Sequence, residues 1–520
     1  MKTDSIKLEI FKNIFISVAE EMGVILKRSS FSPNIKERRD FSCAIFDSKG
    51  QMIAQAAHIP VHLGAMPYSV EEGIRSFNFD PGDVVILNDP YRGGTHLPDI
   101  TLITPIFYEN DLVGFAANRA HHSDIGGISP GSMPLSNELF QEGIVIPPLK
   151  IVKKGILNRD IYDFIMTNVR TPSERSGDLK AQIASNQRGV KRMVEIISRY
   201  GKDEILKYMS ELLDYSESMM KGLLETIPDG SYYFEDFMDN DGIIDKPLKI
   251  AVKVSIQDNI TLIDFTGSSS QADGGINAVY AITLSAVYYV FRSLVGLDIP
   301  SNSGCLRPLK IIVPDNSIVN ASFPAAVAGG NVETSQRITD VLLGALSKAC
   351  PDRIPAASQG TMNNLSIGGY DPFRGQNYAY YETIGGGMGA EPYHDGEDAI
   401  HSHMTNTLNT PIEAFEYAYP FTVKRYEIRR GSGGIGKFKG GDGIIRDIEL
   451  NHDAKVTILS DRRKFKPYGL SGGESGKPGC NLLLRNNEET DLPGKISLDT
   501  KKGDIISIRT PGGGGFGKSQ

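Results

Sequence analysis

A chain of 520 residues suggests two to four domains and leaves ample length for a large core. Hydrophobic content of 40% and charged content of 23% are ordinary for a water-soluble globular protein. A net charge of -8 excludes the basic footprint of a nucleic-acid binder, and no long single-sign block is present. From the start, Asp4 or Ser5 can cap a first helix. Its apolar residues Phe11, Ile14, Phe15, Val18, Met22 and Ile25 keep helical spacing. The opening Met1-Lys2-Thr3-Asp4-Ser5 leads straight into that pattern, so no signal peptide is expected. Residues 41–56 read as a hairpin turning at Asp47 to Gly50, and Pro67 to Phe77 as a helix. Strands from Val84 onward follow.

The densest chemistry comes next. Asn88-Asp89-Pro90-Tyr91-Arg92-Gly93-Gly94-Thr95-His96-Leu97-Pro98-Asp99 is followed about twenty residues later by His121-His122-Ser123-Asp124-Ile125-Gly126-Gly127. Two β-rich runs, Ile100 to Phe107 and Leu112 to Ala117, lie between them and are split by Glu109-Asn110-Asp111, which predicts an antiparallel hairpin. A turn centred between Glu109 and Asn110 makes facing residue numbers sum to about 219. Asp99 then faces Ala120, and His96 faces Ser123. The open end gathers His96, Asp99, His121, His122 and Asp124 across strands about 4.8 Å apart. His and Asp are ligands of borderline divalent metals such as Zn, Mn or Fe. Three of the nine histidines fall here. Plain structural polarity is the alternative, and adjacent His121 and His122 should point to opposite faces of a strand. Spacing alone does not decide which of the two faces an ion.

A Pro/Gly-rich loop follows at Gly126 to Met133. Residues 177–226 read as helical with a break near Tyr200 to Asp203, and Ile227-Pro228-Asp229-Gly230 marks a boundary. A hairpin is expected around Asp258-Asn259, an apolar helix from Asn277, and another helix from Glu333 to Lys348. The stretch Ala281 to Leu297 is too short and too polar for a membrane span. From about Val423 the chain turns glycine-rich and β-rich. The four cysteines, Cys43, Cys305, Cys350 and Cys480, form no CxxC pair and read as reduced thiols of a cytoplasmic protein. The expected fold is α+β, a mixed multi-segment fold with a glycine-rich β C-terminal region. Its parts are an N-terminal region 1–230 carrying the His/Asp site, a central region 231–422 and a C-terminal region 423–520.

Other candidates are weaker. His58 and His62 are four apart, but Pro60 breaks the helix that the zinc HxxxH geometry needs. Glu37, Arg38, Arg39 and Asp40 are either a solvated face or a grip for a carboxylate, to which the arginine fork is suited. His394, Asp395, Glu397, Asp398, His401 and His403 form a second cluster, in which His401 and His403 would share a side if they lay on a strand. The run from Gly512 to Ser519 satisfies GxxxxGK[ST] in form. A phosphate loop needs a helix behind it, and only Gln520 follows, so nucleotide binding is not expected there.

The segments Ser32 to Ser42, Ala57 to Gly64, Asn88 to Asp99, His121 to Gly127, Gln141-Glu142-Gly143, Ala328 to Thr334 and Thr510 to Gly517 resemble the hydantoinase B/oxoprolinase family, in family order and across nearly the whole chain. That family includes the B-type subunits of ATP-dependent hydantoinases and 5-oxoprolinases, and related subunits of acetone and acetophenone carboxylases. The resemblance implies a B-type subunit that hydrolyses a cyclic amide after an A-type partner, carrying ATP and Mg, activates it. The alternatives it leaves are a subunit of an acetone- or acetophenone-type carboxylase acting on a ketone, and a non-catalytic scaffold for the partner. The expected enzyme is a cyclic-amide hydrolase (EC 3.5.2 type) in a hetero-oligomer, with no nucleic-acid or membrane partner. His96, Asp99, His122 and Asp124 are the expected ligands of a divalent metal that polarises the carbonyl or generates hydroxide. His121 is expected to move the proton, with His58 or Glu142 orienting a ligand or water.

Overall fold

Asp4 caps the first helix, Ser5–Ser29, by accepting from the amides of Ile6 and Lys7. Phe11, Phe15, Val18 and Met22, read from the sequence, form its buried stripe with Leu26, while Ile14 and Ile25 are half-buried at its margin. That stripe packs against the helix Pro172–Tyr200 and the strand Phe41–Asp47. A computed structural model describes residues 4–56, 58–296 and 299–519. The readings of Met1 to Thr3 and Gln520, and the ends of the segments at Ala57 and Leu297, fall outside the described residues.

The first sheet has seven strands, all antiparallel. In spatial order they are Met52–Gln55, Phe41–Asp47, Asp111–His121, Asp99–Tyr108, Val84–Leu87, Leu149–Lys153 and Ile156–Leu157. Its central strands are buried on both faces, which accounts for runs such as Val84-Val85-Ile86-Leu87 with no polar alternation. The helix Pro172–Tyr200 covers one face and Ala65–Ser76 packs against the same central strands. Gly201, at φ 90°, ends the long helix and begins Lys202–Leu224, at the break expected there.

A second sheet pairs Gly230–Met238, Leu248–Gln257 and Ile260–Asp264 antiparallel and adds Leu309–Ile312 parallel. The helix expected from Asn277 begins later, at Tyr280–Val295. Asn277 instead locks the preceding loop, donating to the carbonyls of Ala272, Gly274 and Ala326. The helix Ser335–Leu346 is preceded by a π-type turn, Gly330–Thr334. A third sheet, Gln376–Glu382, Asn364–Asp371, Ala454–Leu459 and Lys495–Thr500, takes strands from both sides of residue 423. The fourth belongs to the C-terminal region: Phe421–Arg429, Gly443–Leu450, Ile505–Arg509, Cys480–Arg485 and Glu488–Leu492. The fold is therefore α+β, as read from the sequence.

All four cysteines are free. No helix among the described residues is long and apolar enough to cross a membrane. The phosphate-loop look-alike has a different use. The amides of Gly512 to Gly517 all donate to backbone carbonyls, those of Lys477, Gly441, Ala357, Glu474, Phe438 and Leu470 in turn. None is left to cradle an anion.

Candidate metal site

The hairpin sets the site. Near its turn, Tyr108 faces Asp111 and Phe107 faces Leu112, sums of 219 as expected. Beyond it, Ile106 faces Gly114, Val113 is left over, and every later pair sums to 220. Val113 is a bulge residue. Directly opposed residues share a face, and a one-residue slip exchanges faces. Asp99 consequently lies opposite His121, not Ala120.

The structure brings together a group that differs from the expected ligand set. One ligand atom each from His96, Asp99 and His121 lies within 4.8 Å of the others, and all three side chains are buried. His122 points the other way: its Nε2 donates to Gln182 Oε1 at 2.9 Å, beneath the helix Pro172–Tyr200. Burial and the nearby Arg175 push it down to about 4. Asp124 is spent on a loop clamp, accepting from Arg170 Nη1 at 2.9 Å and from the Arg170 amide at 2.7 Å. Neither joins the cluster.

The ligand atoms are individually prepared. His96 Nδ1 donates to the Ala328 carbonyl at 3.3 Å, and its Nε2 accepts from the Asn331 side-chain amide at 3.0 Å while lying 3.3 Å from Asp99 Oδ2. His62 Nε2 approaches the same Asp99 oxygen at 3.4 Å, and Thr95 Oγ1 donates to it at 2.6 Å. Burial alone would raise the Asp99 carboxyl, but His96 and His62 outweigh it and hold the group well below the usual carboxylate range. His121 is fixed by Asn34, whose amide sits 3.1 Å from Nδ1 and donates to the His121 carbonyl at 2.7 Å. Tyr381 stacks on its ring at 4.5 Å and 12°. Arg38 donates to Asn34 Oδ1 and lies 5.3 Å over the Tyr381 ring. Burial, then the neighbouring His96, hold His121 well below its ordinary value, so its ring is uncharged.

The residues fit a cation. Asp99 Oδ1, His121 Nε2 and Asn331 Oδ1 are buried polar atoms without a hydrogen-bond partner among the described residues. They border a cavity of about 20 Å³, room for one water or one ion, that is also lined by Asp40, His62 and Tyr381. Two imidazoles and a carboxylate with space for a further ligand are the donor set of a catalytic zinc-type centre.

Glu142 stands behind this cluster. Its Oε1 accepts from Ser136 Oγ at 2.7 Å and from the amides of Val327 and Ala328 at 2.9 Å each. It thereby fixes the Ala328 peptide that orients His96. Burial pushes the Glu142 carboxyl up to about 7. His58 is outside: its Nδ1 accepts from the Cys43 amide at 3.2 Å, its ring meets Phe41 edge-on, and it lines a separate cavity with Lys27 and Arg39. His401 and His403 lie on a loop rather than a strand, and they join no group of three converging ligands among the described residues. Sequence reasoning missed Asn34, Asn331 and Tyr381. Asn331 lay inside a noted segment, whereas nothing in the sequence marks Tyr381.

The chain matches the family described as hydantoinase B/oxoprolinase over residues 4–519. It belongs to that family. Among its relatives within and beyond the hydantoinases, an uncharacterized protein of Methanocaldococcus jannaschii is 45% identical over 99% of this chain and 91% of its own length. A Pseudomonas protein described as the putative B-type subunit of a D-/L-hydantoinase is 34% identical over 99% of this chain and 90% of its own. The 5-oxoprolinase of Dictyostelium discoideum is 43% identical over 99% of this chain, which spans only 40% of that protein. The ATP-dependent caprolactamase of Pseudomonas jessenii superposes with a TM-score of 0.93 at 27% identity, covering 100% of this chain and 92% of that one. An acetone carboxylase structure shares the fold with a TM-score of 0.89 at 20% identity, covering 98% of this chain and 75% of that one.

One substitution pair separates the two adjacent histidines of this hydantoinase B-family chain. His121→Asn should lower bound divalent metal, while His122→Asn should leave it at the wild-type level. Elemental analysis of the purified variants reads the difference. Metal lost only with His122→Asn would reverse the assignment.

Proposed function

We propose that this chain is the B-type component of a cytoplasmic, ATP-dependent cyclic-amide hydrolase, working with an A-type subunit that binds ATP and Mg. The observation that carries the reading is the convergence of His96, Asp99 and His121, with the orphaned Asp99 Oδ1, His121 Nε2 and Asn331 Oδ1 beside an ion-sized cavity that Asp99, His121 and Asn331 line. The subunit role is supported by coverage. The chain spans 90% of a putative B-type hydantoinase subunit and 40% of a 5-oxoprolinase. The fully occupied glycine amides support the same division of labour.

His96, Asp99 and His121 would hold a divalent Zn, Mn or Fe ion, with Asp40 and His62 at the cavity wall. Such an ion supplies Lewis-acid polarisation of the amide carbonyl or a nucleophile from water at neutral pH. The protein's own part is to bind and orient. Asp99 carries the anionic charge, and Thr95 and His62 hold its carboxylate. Glu142 anchors the backbone at Ala328, whose carbonyl accepts from His96 Nδ1, and Asn331 meets His96 Nε2. Tyr381 and Asn34 fix the plane of the His121 ring. Met362, Met404 and Val332 close the cavity against bulk water.

The copurified complex should turn over hydantoin or another cyclic amide with ATP and should not consume acetone. The isolated chain should hydrolyse neither ATP nor the ring at an appreciable rate. ATP-dependent turnover by the highly purified chain alone would contradict the division of labour, and acetone-dependent ATP consumption would point to carboxylation.

A further inference from the structure

A larger cavity of about 460 Å³ lies beside the ion-sized one. Two segments make the wall between them. In the first, Ile59, Val61 and His62 line the small cavity and Pro60 lines the large one. In the second, Met404 and Thr407 line the small cavity, His403 the large one, and Thr405 lines both. The Val61 amide donates to the Met404 carbonyl at 3.3 Å and ties the segments together. The wall is thus one residue thick at Thr405.

The large cavity has an apolar body, with Val290, Leu294, Ile354 and Ile400 on its surface. Its polar groups are in part unused. His403 Nε2 and Ser402 Oγ are buried and have no hydrogen-bond partner among the described residues. On the other side of the ring, Nδ1 meets Tyr289 Oη at 3.4 Å. His403 sits at φ 59°, a left-handed conformation uncommon outside glycine, and such backbone strain clusters at binding sites. Burial pushes His403 down to about 4, so its ring is uncharged near neutral pH. The charged residues at the cavity, Arg353 and Glu391, are one of each sign. A carboxylate entering this space would lose hydration without gaining net positive charge, whereas a neutral amide would satisfy the orphaned groups.

We propose that this cavity is the substrate chamber of the candidate metal site, and that it receives a small neutral cyclic amide, held by His403 and Ser402 and set against the one-residue wall at Thr405. The assignment rests on the cyclic-amide reading above and narrows it to rings without a carboxylate.

Two measurements test it. With histidine carrying a carbon-13 label, 2-piperidone should shift the ring signal of His403 in the full chain, and 5-oxoproline at the same concentration should leave it in place. His403→Asn keeps a residue that tolerates the left-handed backbone but shortens the reach. In the complex with its partner, that variant should raise KM for hydantoin about 10-fold and leave kcat within about twofold, the mark of lost ground-state binding. Thr405→Leu, which adds bulk at the shared wall, should lower kcat/KM with metal content unchanged. The chamber is refuted by an unmoved His403 signal, by stronger binding of 5-oxoproline, or by an unaltered KM in His403→Asn. If Asp99→Asn also left turnover intact, the hydrolase reading itself would fall. If Asp99→Asn abolished turnover while His403→Asn behaved as wild type, the chamber alone would fall.

Discussion

Asp99→Asn should strip the divalent ion from the complex and reduce ring opening by at least about 100-fold, beyond the 10- to 100-fold that outer partners of a metal usually carry. The substitution keeps the shape of the side chain and removes the one anionic member of the His96, Asp99, His121 group. It also removes the charge toward which His62 and His96 are turned, at 3.4 and 3.3 Å. The pH dependence has a definite sign. Asp99 has a folded-state pKa depressed below its unfolded value of about 3.9. Its contribution to stability is therefore present above that unfolded value and is lost as pH falls through the depressed one. Acid should release the metal together with this stability, and the Asn variant should show neither effect. Elemental analysis with an acid titration of unfolding checks both. Full metal occupancy in Asp99→Asn would move the centre elsewhere.

The second large effect belongs to stability. Arg446 and Glu382 are fully buried and paired at 2.7 Å, joining the third and fourth sheets. Removing one member of such a pair leaves a buried charge without its partner, at a cost of about 3–5 kcal/mol. Arg446→Met should lower folding free energy by that amount. Arg446→Met with Glu382→Leu should recover most of the loss, because replacing a buried ion pair by apolar groups is often neutral. Urea unfolding of the two variants decides it. Equal loss in both would show that the arginine acts through packing over Tyr426, 4.6 Å from its guanidinium, rather than through charge.

How much of this was legible beforehand depended on where the information lay. Periodic apolar spacing gave the Ser5–Ser29 helix nearly residue for residue, and the hairpin partners of Asp99–Tyr108 and Phe41–Asp47 followed from turn chemistry. The clustering of His96, Asp99 and the histidine pair also followed from the hairpin. The choice between His121 and His122 did not. It hangs on Val113, an ordinary apolar residue eight positions away, and no local rule marks a valine as a bulge. Asn331 and Tyr381 reach the site from segments more than 200 residues distant in sequence, and tertiary packing alone brings them there. The helix expected from Asn277 starts only at Tyr280 for a related reason. That side chain finds better use bonding three loop carbonyls than opening a helix.

The glycine run at the C-terminal end has a kinetic consequence. Each amide from Gly512 to Gly517 is donated to a different part of the chain, from residue 357 to residue 477. A Cβ at Gly513 would come within 1.9 Å of the Met388 carbonyl, so the backbones there touch directly. Such a thread is bonded to loops that lead into the strands of the third and fourth sheets, so freeing it separates several of them at once. Its protons should exchange with solvent only when that whole half of the molecule opens, and at the same slow rate from one glycine to the next. A stretch whose composition suggests a loose tail is, in hydrogen-exchange terms, among the last parts of the protein to let go.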